Sequence, residues 1–431
     1  MNEGVIGITI LALLVGLVLL RVPVSFALAI AALPGLFIDE KLSPLILIDR
    51  MQVQYGSVIL TSIPFFILAA NLMNSAKITD RLIKLSLSMV GFLRGGLGYV
   101  NILVSMFFAG ISGSSNADAA GIGSILIPAM IKQKFDVNYT VAVTACSAVM
   151  GCIIPPSIMM VIWGGTLNVS VAALFLAGII PGILIGLSQM LLTYILARKR
   201  DYPKHYKEFS SQKMARSAKD AFWALLTPVI IVGGIVGGIV TPTEASAIAV
   251  FYSMIVGVFI YKSLSFKSIM NEFMNTAKFS AIILFSIGTA AIYGWVFAYF
   301  HIPTYIVNHL SGISSNPTVI LIICSLCFLV IGAFMDAVPA IIILAPLLQP
   351  VADTVGIDRI HFAIVCNVTL GIGLITPPYG LTLLISSEIA KINCIQAIRE
   401  VSLFFLFMVG IVGLIIFFPD FFLFLPRLFS I

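Results

Sequence analysis

Two stretches far apart in the chain carry the same punctuation in the same order. Asp118 stands ten residues before Pro128 in SNADAAGIGSILIPAM, and Asp336 stands ten residues before Pro346 in MDAVPAIIILAPLL. Asp136 precedes Pro155-Pro156 by 19 residues and Asp358 precedes Pro377-Pro378 by the same 19, so GCIIPPS answers GLITPPY. Upstream, RVPVSFALAI (21–30) matches VTPTEASAIAV (240–250), and IPFFILAANLMNSAKI (63–78) weakly matches TAAIYGWVFAYFHI (289–302). Every offset is close to half of the 431 residues. A chain duplicated end to end builds one substructure twice. The repeat predicts units at 1–197 and 221–431, joined by a basic loop at 198–220.

The medium of that substructure follows from charge. Only 10% of residues are charged and 60% are hydrophobic, against roughly 25% charged in a soluble domain. Apolar runs able to cross ~30 Å of hydrocarbon recur from Val5–Leu20 to Val401–Phe418, which predicts an all-α polytopic membrane protein. The first run follows MNEG without a small-residue cleavage site and reads as a span, not a removed signal peptide. A net charge of +6 does not point to nucleic acid, because the basic residues sit in short loops between spans. The six cysteines lie in or beside apolar runs, and Cys324 with Cys327 lacks the surroundings of a redox pair. No GxxxxGK[ST] occurs and the histidines have no metal-ligand spacing, so no P-loop cofactor or structural metal is expected.

Spans are expected at about 4–20, 22–38 and 54–75, followed by an amphipathic piece at 77–95. A polar-centred segment at about 98–131, a span broken at about 138–167 and a last span at 172–197 complete the first unit. If 98–131 is a hairpin that enters and leaves on one face, the unit crosses five times, and odd parity inverts the second copy. Its counterparts are a hairpin at about 318–351 and a broken span at about 359–390. With the central loop in the cytoplasm, all of the 24 Lys and Arg except Lys41, Arg50, Arg359 and Arg427 fall on the cytoplasmic side, as the positive-inside rule requires. Both termini then lie outside.

The chemistry concentrates at four places. In NILVSMFFAGISGSSNADAAGIGSILIPAM each apolar arm is only about ten residues, a rise of ~15 Å that reaches mid-membrane. A turn there needs protein or a water-filled cavity to satisfy its backbone, so the polar cluster is expected at the tip of a re-entrant hairpin. At the Pro-Pro pairs several carbonyls lose their helical donors. Freed carbonyls at mid-membrane suit a hard cation. Candidates are Gly371, Gly373 and Thr376 in one half and Gly151, Ile154 and Pro155 in the other, with Ser112, Ser114, Ser115 and Asn116 at the tip facing them. Half-helix N-termini at these breaks direct partial positive charge inward, toward an anionic substrate. Asp118 and Asp336 could bind cations, carry protons or cap the second hairpin arms, with capping and local hydrogen bonding favoured over direct ligation. Glu244 in TPTEAS opens a helix that Thr241 or Thr243 could cap. Trp163, Trp223 and Trp295 are expected as interface anchors, and FFPDFFLFLPRLF as an interfacial segment.

On SIPFFILAANLM, FFAGISGSSNADAAGIGSILIPAM, GCIIPPS, TPTEASAIAV and GLITPPYG, the chain resembles the large, DctM-like membrane subunit of tripartite ATP-independent periplasmic (TRAP) transporters over essentially its whole length. The resemblance implies a sodium-coupled importer of organic acids, of the carboxylate or sialic-acid type, in a bacterial inner membrane. It implies an elevator mechanism in which a domain holding both hairpins and both broken spans moves against a fixed stator. The implied partners are a periplasmic binding protein and a separate small four-helix membrane subunit. Carried onto this chain, one sodium sits between Ser112–Asn116 and Gly151–Pro156, including Pro155 and Pro156, and a second between Gly332–Asp336 and Gly371–Pro377. The second tip, GAFMDAV, lacks the serines of the first. Rival readings are a carboxylate symporter that needs no binding protein, an intramembrane aspartyl protease using Asp118 and Asp336, and a passive channel.

Overall fold

The structure, a computed structural model, describes residues 3–20, 22–38, 42–206, 208–302, 304–305 and 315–429. Arg21, Lys41 and Lys207, which belong to the charge reading above, and the four terminal residues lie outside the described residues. Those described are helical throughout their ordered elements, and six helices are long and apolar enough to cross a membrane. The chain is an all-α, multi-pass membrane protein.

Helix starts are set by small polar side chains. Asp136 accepts from the Tyr139 amide at 2.9 Å and opens Val137–Ala148, while Asp358 accepts from Ile360 and His361 and opens Arg359–Gly373. The two aspartates that keep equal distance from the proline pairs are therefore N-caps, each satisfying orphan amides at a helix start that lipid could not solvate. Ser157, Ser170, Ser210, Ser265, Asn316 and Asn393 cap other starts in the same way.

Elements at corresponding places have matching lengths. The leading hairpin arms are Gly96–Ser112 and Pro317–Gly332, of 17 and 16 residues, and the trailing arms Ser115–Lys132 and Ala337–Thr354 have 18 each. Helices Val137–Ala148 and Arg359–Gly373 precede the proline pairs, and Ile158–Leu167 and Leu381–Ala390, ten residues each, follow them. The Pro155-Pro156 and Pro377-Pro378 bonds are both cis. Each trailing arm packs on the opposite half of the chain: Ser115–Lys132 on Leu381–Ala390, and Ala337–Thr354 on Ile158–Leu167. Around this interlaced body stand Val24–Ala32 against Phe266–Tyr299, and Ser62–Ser75 against Pro242–Ile255.

Four expectations need correction. The hairpin arms are nearly twice the expected ten residues and rise about 25 Å. Helix persists through GLGYV at one end and through Ile111 and Ser112 at the other, until the left-handed Gly113 stops it. Span 54–75 is preceded by an unforeseen helix, Pro44–Tyr55, which Ser43 caps and Pro44 begins, and the two are bent by 67°. Half of the basic loop 198–220 is helical, because Ser210 caps Ser211–Val236. Trp163 is no interface anchor: it is fully buried between Phe328 and Phe362, both rings at 5.8 Å.

The remainder of that loop is a strap. The Tyr202 ring packs tilted against Phe135 at 4.5 Å, and Arg200 pairs with Glu400 at 2.6 Å on the interlaced body. The amides of His205 and Tyr206 donate to the Gly91 carbonyl at the end of Ile78–Val90, at 3.0 and 2.9 Å, and the His205 ring meets Gln133 at 2.6 Å.

Candidate functional site

Gly113 turns the first hairpin at φ +63°, and a Cβ there would stand 2.7 Å from the Pro156 carbonyl, so both the turn and the approach to the break require glycine. Its own carbonyl accepts at 3.2 Å from the amide of Ile158, the first residue of the helix that follows the proline break. Ser114, extended, caps the trailing arm by accepting from Ala117 at 3.5 Å. Of the expected capping and local hydrogen bonding, Asp118 does only the second. It lies one turn inside the helix, fully buried, and takes the Ser112 hydroxyl on Oδ1. Its Oδ2 is buried with no partner among the described residues, facing Gly151, where a Cβ would stand 2.7 Å away. A buried carboxylate oxygen without a donor is costly unless a cation or proton meets it.

Ser115 donates to the Val149 carbonyl at 3.3 Å in the short 3-10 segment Val149–Cys152, which leads into the break. Ser157 donates to the Cys152 carbonyl at 2.6 Å. The Pro155 carbonyl faces Gly110 of the leading arm, 3.6 Å from where its Cβ would be. Ile154 packs instead against Gly182, so its side chain turns away from the tip.

The second tip is built with less polarity. Asp336 occupies the cap position of Ala337–Thr354 but makes no capping bond with its side chain; Oδ1 instead accepts from Asn116 Nδ2 at 3.3 Å. That contact joins the two tips. Gly332 and Gly373 bring backbone against backbone, a Cβ on Gly373 standing 2.7 Å from Gly332 Cα. The Tyr379 amide donates to Ala333 at 2.9 Å, and Thr382 donates its hydroxyl to Leu374 at 2.8 Å, the counterpart of the Ser157 to Cys152 bond. Thr376 donates to Ile372 at 2.9 Å, leaving its lone pairs available. Gly371 faces Cys152 and Val149, so the two breaks abut. Pro377 sits at the second cis bond.

A cavity of about 40 Å³ lies where these parts meet, lined by Ser114, Ser115 and Asn116, by Cys152 and Leu374 and by Asp336. It has room for an ion with one or two waters. Beside it a cleft of about 390 Å³ runs from Ser112, Ser114 and Asn116 to Asn71 and Asn275. That volume is in the range of small-molecule sites. Neither asparagine was singled out from sequence. Asn71 is the visible signal, a lone amide inside IPFFILAANLM; it donates to Thr276 at 3.0 Å. Glu244 lies away from both spaces and forms a capping box with Thr241, whose amide donates to Oε2 at 2.8 Å.

With this geometry in hand the relatives decide the family. Residues 11–421 match the family described as tripartite ATP-independent periplasmic transporter, DctM component. The chain belongs to the DctM family. It is 36% identical over 414 residues to the sialic acid TRAP transporter large permease SiaM of Vibrio cholerae, covering 96% of this chain and 97% of that one. It is 32% identical over 410 residues to the 2,3-diketo-L-gulonate TRAP transporter large permease of Escherichia coli, covering 95% and 96%. A fused isethionate permease, DctMQ of Oleidesulfovibrio alaskensis, is 36% identical over 88% of this chain and 60% of its own length. Among solved structures, the YdaH transporter of Alcanivorax borkumensis shares the fold at TM-score 0.60, with 14% identity and 87% of each chain covered. MtrF of Neisseria gonorrhoeae does so at 0.58, with 15% identity over 86% of this chain and 82% of that one. DctM proteins are transporters and not enzymes, which removes the aspartyl protease reading.

Proposed function

We propose that the chain is the large permease of a sodium-coupled TRAP importer that moves a small organic anion across a bacterial inner membrane. One observation carries this reading. Two hairpin tips and two proline breaks converge on a small cavity lined by Asn116, whose Oδ1 is buried with no donor among the described residues, as is Asp118 Oδ2 one turn into the trailing arm, facing Gly151. Oxygens stranded in that way fit a hard monovalent cation, which would be held by Asp118, Ser112 and Asn116 with carbonyls of the first break. The Gly332–Asp336 and Gly371–Pro377 region is the proposed second position, with Thr376 and Asp336 as its side-chain oxygens.

In this mechanism, cation binding draws the tips onto the breaks and completes the adjoining cleft, where Ser114, Asn116, Asn71 and Asn275 orient the anion. The N-terminus of Ser115–Lys132 supplies partial positive charge. Units 1–197 and 221–431 are proposed as inverted repeats with both termini outside. The interlaced hairpins and broken spans would then move as one carrier against the outer helices. Coupling arises if only the loaded or the empty carrier crosses, a difference in cation affinity between states. The proposed partners are a small membrane subunit on a separate chain and a periplasmic binding protein, the division implied by the fused relative's name. Reconstitution of all three in liposomes, with a panel of carboxylates and imposed sodium or proton gradients, tests the reading. Uptake should require inward sodium and the binding protein. Equal uptake without the binding protein would move the chain to the autonomous symporter class, and uptake indifferent to sodium would remove the cation site.

A further inference from the structure

Helix Phe266–Tyr299 passes two separate spaces. Phe279 and Ile283 line the cavity at the tips, and farther along Ala291 and Trp295 line a second cleft of about 260 Å³. From Phe279 to Trp295 the helix climbs roughly 24 Å. The walls of the distant cleft come from both bodies of the protein: Arg50 and Gln54 from Pro44–Tyr55, Thr166 from the end of Ile158–Leu167, and Pro346 from the second trailing arm.

Its polar groups are unspent. The Arg50 guanidinium lies over the Trp295 ring at 5.4 Å. Such stacking holds the planar fork in place while leaving its N–H donors free along the edge. The Thr166 hydroxyl oxygen is buried with no partner among the described residues. Charge reading puts Lys41, Arg50, Arg359 and Arg427 on the outer face. Arg359 is neutralised by Asp353 at 2.9 Å and Arg427 by Asp420 at 2.5 Å, while Lys41 lies outside the described residues. Arg50 forms no ion pair among the described residues. Asp49, next to it in the chain, is exposed and lies about 100° round the helix.

We propose that the Arg50 cleft is an anion site that receives a carboxylate of the incoming substrate on the outer side, before the substrate reaches the hairpin tips. A guanidinium offers two parallel donors to a carboxylate, and the Thr166 hydroxyl and Gln54 amide supply further donors at the same mouth. The site rests on the organic-anion reading above and deepens it. Thr166 and Pro346 belong to the proposed carrier and Arg50 and Trp295 to its surround, so the cleft is shared between the parts that move past each other.

The test uses the full chain in nanodiscs. Tryptophan emission is titrated with acetate and succinate against chloride at equal ionic strength. A saturable, carboxylate-specific change is expected, absent in Trp295→Phe and in Arg50→Gln and retained in part by Arg50→Lys. No such change in the wild type, or its survival in Arg50→Gln, overturns the proposal. In liposomes with the partner proteins, Arg50→Gln should raise the KM for uptake about tenfold at similar maximal rate, the scale of one charge-assisted contact. Lost uptake with an unaltered fluorescence titration would assign Arg50 to protein docking and would likewise overturn it. Absence of sodium-driven uptake by the wild type would instead sink the transport reading, while the fluorescence result would stand on its own.

Discussion

The two hairpin tips occupy equivalent places and solve the same problem with different chemistry. The first adds side chains to a backbone tie from Ile158 to Gly113: Ser112 on Asp118, Ser115 on Val149, Ser114 on its own helix start. The second is held by backbone, with Gly332 against Gly373 and the Tyr379 amide on Ala333. Their only described side-chain link is the Asn116 to Asp336 bond. A duplicated unit thus keeps its geometry while dividing its tasks: one tip concentrates charge and hydroxyls, the other supplies close packing. Asp118 is enclosed and has an oxygen to spare, whereas Asp336 is partly exposed and answers across the midline.

The largest effect expected from that contrast is at the carboxylates. Asp118→Asn should lower sodium-driven uptake by at least about 100-fold, the scale of an ionic contact of ~3 kcal/mol, and Asp336→Asn only about tenfold. Initial rates over a sodium series measure both, and equal losses would erase the distinction between the tips. Next come the glycines. Gly113→Ala combines a left-handed backbone with a clash on Pro156, and uptake should fall about tenfold with a melting temperature lowered by several degrees. Gly332→Ala should lower stability comparably, but through packing of the second tip on its break, so added sodium should restore less of it. A thermal-shift titration of the two variants with sodium separates them. A smaller change is expected for Ser115→Ala and Thr376→Val, about two- to fivefold in the half-saturating sodium concentration, with Ser115 the more affected.

The smallest effect tests whether the strap serves the first tip alone. Burial holds the His205 imidazole below its ordinary range, beside Gln133 at the base of the first trailing arm. Because the folded value lies below the unfolded one of 6.5, the strap's contribution is present above that pH and is lost as pH falls below it. Protection factors of residues 200–206 in hydrogen exchange, taken relative to the intrinsic rate at each pH, should fall on acidification from pH 7 to 5.5, and His205→Gln should flatten the response.

Much of this was legible in the sequence because it depends on residues that break rules of helices in lipid. Proline pairs, a glycine before a serine cluster and aspartates inside apolar runs each have few ways to be satisfied, so their spacing located tips and breaks. What stayed hidden depends on residues that obey those rules. Nothing local distinguishes ten helical residues from 17, so the arm lengths came out short. Trp163 suits a membrane interface as well as a core, and only Phe328 and Phe362, about 160 to 200 residues farther along, decide for the core. Arg50 was counted only as an outward charge, since Trp295 and Thr166 reach it through tertiary packing. Asp118 was read as a cap because acidic residues near helix starts usually are; Ser114, four residues earlier, had already taken that role.

The crossed packing of the trailing arms sets a timetable for biogenesis. Ser115–Lys132 completes its cover only when Leu381–Ala390 is made, and Ile158–Leu167 completes its own with Ala337–Thr354. At about 5–20 residues per second, a nascent chain waits on the order of 10–50 s between making the first hairpin and making the helix that shields it. During that interval a polar loop must be sheltered by the insertion machinery or by lipid headgroups, and a ribosome stalled halfway leaves a fragment with no finished surface to present.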